Sequence, residues 1–291
     1  MDFAFEAKTQ GILTQELLSL EKTLKGDILY YKGSIFPNLD SIFRKVIEEL
    51  KEDDQKKGLD GNKLYIILTT PGGDVETVER MVNIIRHHYQ TVNFIIPNMA
   101  MSAGTVLALS GDDIYMNYAS SLGPIDPQVC KSNGDWVPVR GYLKKVADLL
   151  EKSRKGELTD AEYGIFHDLD LARLTQYEQA CSLTIDLLGK WLVKYKFKNW
   201  TRTEGKKKKV TPAMKEARAK EIAEKLGDDS IWLSHGRSIG IQRLQEELKL
   251  KIIDYTGTEW YKPLETYCEM MDDYHMSRKI AWYMHTRTFI I

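Results

Sequence analysis

The chain has 291 residues, 43% of them hydrophobic, with 41 lysines and arginines against 42 aspartates and glutamates and a formal net charge of −1. That length allows one large domain or two small ones with an ample core, and the charge balance argues against a nucleic-acid binder. Three widely spaced cysteines, Cys130, Cys181 and Cys268, cannot all pair and form no C-x-x-C, which suits a reducing cytosol.

MDFAFEAKTQG at the start carries two acids and one lysine, unlike a secretory signal. No apolar run approaches the roughly 18 to 20 residues that cross a bilayer, so a cytoplasmic protein without a transmembrane segment is expected. Residues 9–24 have amphipathic helical spacing, and DILYYKGS (27–34) reads as a strand broken by Gly33. A helix is predicted over 38–50, a DGN turn at 60–62 and a buried strand at KLYIILTT (63–70). After PGGD, VETVERMVNIIRHHY (75–89) has helical periodicity, TVNFIIP (91–97) is a second buried strand, SAGTVLALSG (102–111) a short apolar helix and DIYMN (113–117) a third strand. ASSLGPIDPQV (119–129) reads as a rigid loop or edge strand. This alternation predicts parallel βα units with right-handed crossovers, whose functional groups gather at the strand carboxyl ends. TTPGGD and NMAMSAG both lie there.

The second half is mostly helical, over 139–155, 159–195, 212–226 and 240–250, with IWLSHGRSIGI (231–241) as an irregular link and KIIDY (251–255) as a closing strand. NWTRTEGKKKKVTP (199–212) holds Lys206 to Lys209 in succession and reads as an exposed, solvated loop. Residues 256–291 are too apolar for a free tail and are predicted to pack on their own domain or on a neighbouring subunit. The implied organisation is an N-terminal helical segment (1–26), a main α/β domain (27–255) and an aromatic-rich C-terminal extension (256–291).

Acyl transfer needs a nucleophile, a base, a group to orient the base and donors for the oxyanion. Gly72 and Gly73 can adopt backbone angles closed to other residues and leave their amides unshielded. Ser102 opens a helix, where backbone N–H groups favour negative charge. An oxyanion between the Gly73 and Ala103 amides would be stabilised from both sides, each donor being worth on the order of 3 kcal/mol. The pattern alone also admits Ser102 as a plain helix cap. Asp74 is placed to cap the next helix, His87 and His88 suit a helix C-terminus, and His167 lies on an acidic helix face. His275 and His285 lie in the tail with nothing to pair them, and no metal or other cofactor is indicated. Neither a G-x-x-x-x-G-K-[ST] loop nor a G-x-G-x-x-G fingerprint occurs, so an ATPase would have to be a separate partner.

The stretch from TTPGGD through NMAMSAGTVLAL to SSLGPIDPQ resembles the ClpP and signal-peptide-peptidase clan of serine peptidases, which share a crotonase-like ββα superhelix. Within the clan the chain is most similar to the serine dehydrogenase proteinase family, a likeness extended by SSLGPIDPQ (120–128) and by residues 215–255. The resemblance implies a serine endopeptidase with a Ser-Asp-His triad: Ser102 as nucleophile, His235 in LSHG as base and Asp126 in GPIDPQ as acid, with Asp254 and Asp74 as alternatives. It also implies an oxyanion hole from the Gly73 and Ala103 amides, a polypeptide substrate and a homo-oligomer; Gly72 is a candidate substrate contact, and Ser121 either contacts substrate or ends its strand. The chain departs from ClpP in having no histidine just after its third strand. A Ser-Lys pair of signal-peptide-peptidase type, drawing on Lys144, Lys145 or Lys152, is therefore an alternative, as is a non-proteolytic crotonase-type enzyme acting on an acyl thioester, or a scaffold.

Overall fold

The computed structural model describes residues 3–130, 136–167, 169–203, 205 and 207–291. In chain order the elements are α1 (Phe3–Leu24), β1 (Asp27–Gly33), α2 (Leu39–Lys57), β2 (Lys63–Thr69), α3 (Val75–His88), β3 (Thr91–Ile96), β4 (Met99–Ala100), α4 (Ala103–Leu109), β5 (Asp113–Met116) and β6 (Ser121–Leu122). There follow β7 (Gln128–Cys130), β8 (Trp136–Pro138), α5 (Val139–Lys155), α6 (Asp160–His167), α7 (Leu171–Trp191) with a π-helical turn at Leu192–Lys196, α8 (Pro212–Leu226), α9 (Asp229–Trp232), α10 (Ile241–Glu246), β9 (Ile253–Asp254), α11 (Tyr261–Arg278) and β10 (Trp282–His285).

The main sheet has six strands in the order β10-β1-β2-β3-β5-β9. All neighbours pair parallel except β10, which runs antiparallel along β1. The expected α/β architecture with a parallel sheet is borne out. Strands buried on both faces need apolar residues at both parities, which explains their near-continuous runs. Leu64, Ile66 and Leu68 of β2 join the core under α2, α3, α4, α7 and α8, while Tyr65 and Ile67 join a second core under α1 and α11.

Several predicted bounds shift. The first helix begins at Phe3 rather than residue 9, and the second runs to Lys57, where Gly58 takes a left-handed angle and ends it. The single helical pattern over 159–195 divides into α6, α7 and the π-helical turn, and the helix predicted over 240–250 covers only Ile241–Glu246. No strand was expected in 256–291, yet β10 pairs with β1, and α11 packs against α1. The apolar tail is thus covered by its own chain. Lys207, Lys208 and Lys209 are exposed, whereas Lys206 lies outside the described residues.

One buried ionic knot fastens the tail. The Arg287 guanidinium, 2% exposed, bonds Glu21 and Asp27 at 2.9 Å, Asp53 at 2.6 Å and Asp54 at 2.5 Å. Burial outweighs the arginine for Glu21 and pushes its carboxyl up to about 7.

Candidate active site

Ser102 sits at the corner from β4 into α4. Thr70 N donates to Met99 O and Met101 N donates to Thr70 O, both at 2.9 Å, which fastens the end of β2 to β4. The two meet so closely that a Cβ on Gly104 would lie 2.3 Å from Thr70 Cγ2. Ser102 has φ 52° and ψ −121°, an angle pair that costs a non-glycine residue about 1–3 kcal/mol and that tends to occur where a side chain must be presented. It occupies the N-cap position of α4, but its hydroxyl makes no cap bond. Asp74 behaves differently. Its carboxylate accepts from Thr77 N at 2.7 Å and Thr77 Oγ1 at 2.6 Å, so it is the cap of α3.

The glycine loop lies directly against this corner. Ile35 N donates to Gly72 O and Asp74 N donates to Ile35 O, both at 2.8 Å. This ladder turns the Gly73 N–H to the side away from Ile35. Gly72 and Gly73 have φ 104° and 144°. A Cβ on Gly72 would lie 2.7 Å from Ser102 Cβ, and one on Gly73 would lie 1.9 Å from Ile35 O. Both positions therefore require glycine, for contact as well as for angle. Among the described residues, neither the Gly73 nor the Ala103 amide N–H has a hydrogen-bond acceptor.

His235 arrives from the link between α9 and α10. Leu233, at φ 64°, ends α9, and Trp232 is anchored by its indole N–H to Lys225 O at 2.7 Å. Ile239 N donates to Leu122 O at 2.8 Å, and Leu122 N donates to Ile239 O at 3.1 Å. These two bonds lay the link along β6 and bring His235 beside the segment after it. There His235 Nδ1 lies 2.9 Å from Asp126 Oδ1, and Asp126 is 1% exposed. With Nδ1–H pointed at the carboxylate, Nε2 keeps its lone pair for a proton acceptor role. Thr105 ties the helix that begins after Ser102 to the segment that carries Asp126, its hydroxyl donating to Ala100 O at 2.7 Å and accepting from Gly123 N at 2.9 Å.

A single cleft of about 1140 Å³ is lined by Ser102, Ala103, Gly72, Gly73 and His235, with Val106, Ile125 and Leu183 among its apolar walls. The remaining candidates fall elsewhere. Ser121 is buried in β6 opposite Met99 and does not line the cleft, and Asp254 is exposed and caps Thr256. Lys144 and Lys145 are exposed on α5, Lys144 facing a different cavity, and Lys152 pairs with Glu162. Of the histidines, His87 and His88 stack edge-to-face at the end of α3, His167 is exposed on α6, and His275 contacts Ile280 O. His285 is buried against Tyr267, with burial holding its pKa down to about 4. Gln128 escaped the sequence reading. Its side-chain amide donates to Asp126 Oδ2 at 2.8 Å and also lines the cleft; its trace in the sequence is its place two residues beyond Asp126.

Among the described residues, no helix is long and apolar enough to cross a membrane. The chain aligns with uncharacterized protein MJ1495 of Methanocaldococcus jannaschii at 27% identity over 207 residues, 71% of this chain and 57% of that protein. It aligns with uncharacterized protein MJ0137 of the same organism at 39% identity over 64 residues, 22% of each. The chain thus spans little more than half the length of the first relative and under a quarter of the second. Two structures of the 1510-N membrane-bound stomatin-specific protease also match at 15% identity. A serine-to-alanine mutant gives a TM-score of 0.48, covering 82% of this chain and 83% of that one. A lysine-to-alanine mutant with a substrate peptide gives 0.45, covering 82% and 80%. Residues 50–157, which carry the glycine loop, Ser102 and Asp126, match the model of the family described as ClpP-like SDH-type serine proteinases.

Proposed function

We propose that the protein hydrolyses peptide bonds through an acyl-enzyme on Ser102, with His235 as base and Asp126 as its orienting acid. The observation that carries this reading is the His235–Asp126 hydrogen bond, 2.9 Å long, in the cleft that also holds Ser102. In the first step His235 Nε2 takes the hydroxyl proton as Ser102 Oγ bonds to the scissile carbonyl carbon. The Gly73 and Ala103 amides donate to the resulting oxyanion, and Asp126 stabilises the imidazolium. The C–N bond then breaks as the imidazolium gives its proton to the leaving amine. Water, deprotonated by the same His235, hydrolyses the ester and restores Ser102. The expected setting is a reducing compartment, in keeping with the free thiols of Cys181 and Cys268. A homo-oligomer is in keeping with the exposed Tyr142, Tyr163, Ile165 and Leu171 on α5–α7.

Treatment with a fluorophosphonate, followed by mass spectrometry, tests the reading. Modification on Ser102, lost in Ser102→Ala and strongly slowed in His235→Ala, is the expected result. No modification of Ser102 overturns the hydrolase reading. Full-rate modification in His235→Ala, with loss in a lysine variant of α5, replaces the triad by a Ser-Lys pair.

A further inference from the structure

We infer that Gln128 is a positioning residue for Asp126, resting on the hydrolase reading above. Asp126 is 1% exposed, so water cannot be its main solvent. A buried carboxylate keeps its charge only where hydrogen-bond donors replace the water. Two are in place, one on each oxygen: His235 Nδ1 at 2.9 Å on Oδ1 and Gln128 Nε2 at 2.8 Å on Oδ2. The Gln128 bond closes the rotation of the carboxylate that would otherwise carry Oδ1 off the imidazole.

Its own position is rigid. Pro127 fixes the backbone between acid and amide, and Val139 N holds Pro127 O at 2.9 Å. Gln128 then begins the β7–β8 hairpin, in register with Pro138. Trp136, on the other strand of that hairpin, lines the cleft together with Gln128. The hairpin therefore joins a wall of the cleft to the acid behind His235. Cys181 also feels the charge of Asp126, and burial pushes its thiol up against the lowering effect of Arg140.

Fluorophosphonate modification of Ser102 in the full chain, resolved into an affinity and a maximal rate across a pH series, tests the assignment. In Gln128→Leu the affinity should change much less than the maximal rate. The maximal rate should fall roughly 10- to 100-fold, the range for losing a hydrogen bond to a charged group. Its acid limb should also move to higher pH, because a less shielded Asp126 holds the proton on His235 more tightly. In Gln128→Glu the new carboxyl and Asp126 should share one proton. Protonated, it still donates; ionised, it repels. The rate relative to the unsubstituted protein should therefore fall as pH rises, a signature that a merely structural residue would not give. If Gln128→Leu does not fold, that pH-dependent ratio carries the test alone. Modification of Ser102 in both variants at the unsubstituted rate and pH profile overturns the role of Gln128 and leaves the hydrolase reading standing. No modification of Ser102 in the unsubstituted protein overturns both.

Discussion

The strained angle at Ser102 leads to a prediction that separates stability from chemistry. Its φ of 52° with ψ of −121° belongs to a region open to glycine and costly to residues with a Cβ. Ser102→Ala keeps the Cβ and hence the strain, and should leave stability nearly unchanged. Ser102→Gly releases about 1–3 kcal/mol of strain, against about 0.5–1 kcal/mol of extra chain entropy in the unfolded state. The balance favours the glycine variant over the alanine variant by about 1 kcal/mol, or on the order of 1.5–2 °C in melting temperature for a chain of this size. Both variants should lose fluorophosphonate modification, which makes the alanine variant the proper reference. Thermal unfolding of the two, followed by calorimetry in the same buffer, provides the measurement. A glycine variant that melts below the alanine variant would refute the claim that the fold stores strain at Ser102.

Gly73→Ala should place a Cβ 1.9 Å from Ile35 O, losing at least about 1–3 kcal/mol of stability to backbone strain and most of the Ser102 modification rate, as thermal unfolding and labelling would show. Arg287→Met leaves the buried Asp27 and Asp54 and the half-buried Glu21 and Asp53 without their shared cation and should cost about 3–5 kcal/mol by urea unfolding, the range for breaking a buried ion pair from one side. Glu21 keeps its proton in the folded chain up to about pH 7, against 4.5 for the free group. Across that window the folded state binds more protons than the unfolded state, so this residue makes stability fall as pH rises. Glu21→Gln should flatten that slope in a urea-denaturation series between pH 4.5 and 7, and an unchanged slope would remove Glu21 as its source.

What could be read from the chain follows from how local each determinant is. β2 and β3 announce themselves because a parallel strand covered on both faces is apolar at both parities, and near-continuous runs such as Leu64–Leu68 and Phe94–Ile96 between turn signals leave little alternative. β10 gave no such signal. Its four residues, Trp282–His285, form a strand because β1 offers a free edge 250 residues earlier, and no periodicity in the tail encodes that edge. The Arg287 knot is equally silent, since its carboxylates lie more than 230 residues away in the chain. The candidate site divides along the same line. The glycines and Ser102 carry local marks: adjacent glycines after a strand, and a small-residue corner before a helix. His235 has no local mark, because 109 residues separate it from Asp126, and long-range bonds such as the pair between Leu122 and Ile239 and the one from Ile125 N to Leu226 O bring the two segments together. Resemblance to a family supplied what spacing could not. Gln128 was missed for a different reason, since an amide that orients an acid has no pattern beyond its neighbours. The same distinction bears on how the site is held. The local part, the corner at Ser102, is over-determined by short-range bonds and can therefore store strain. The distant part, His235, is held by long-range bonds such as the two-bond ladder to β6 and the hydrogen bond to Asp126, so on the proposed reading the residues that fix Asp126 decide whether His235 faces Ser102.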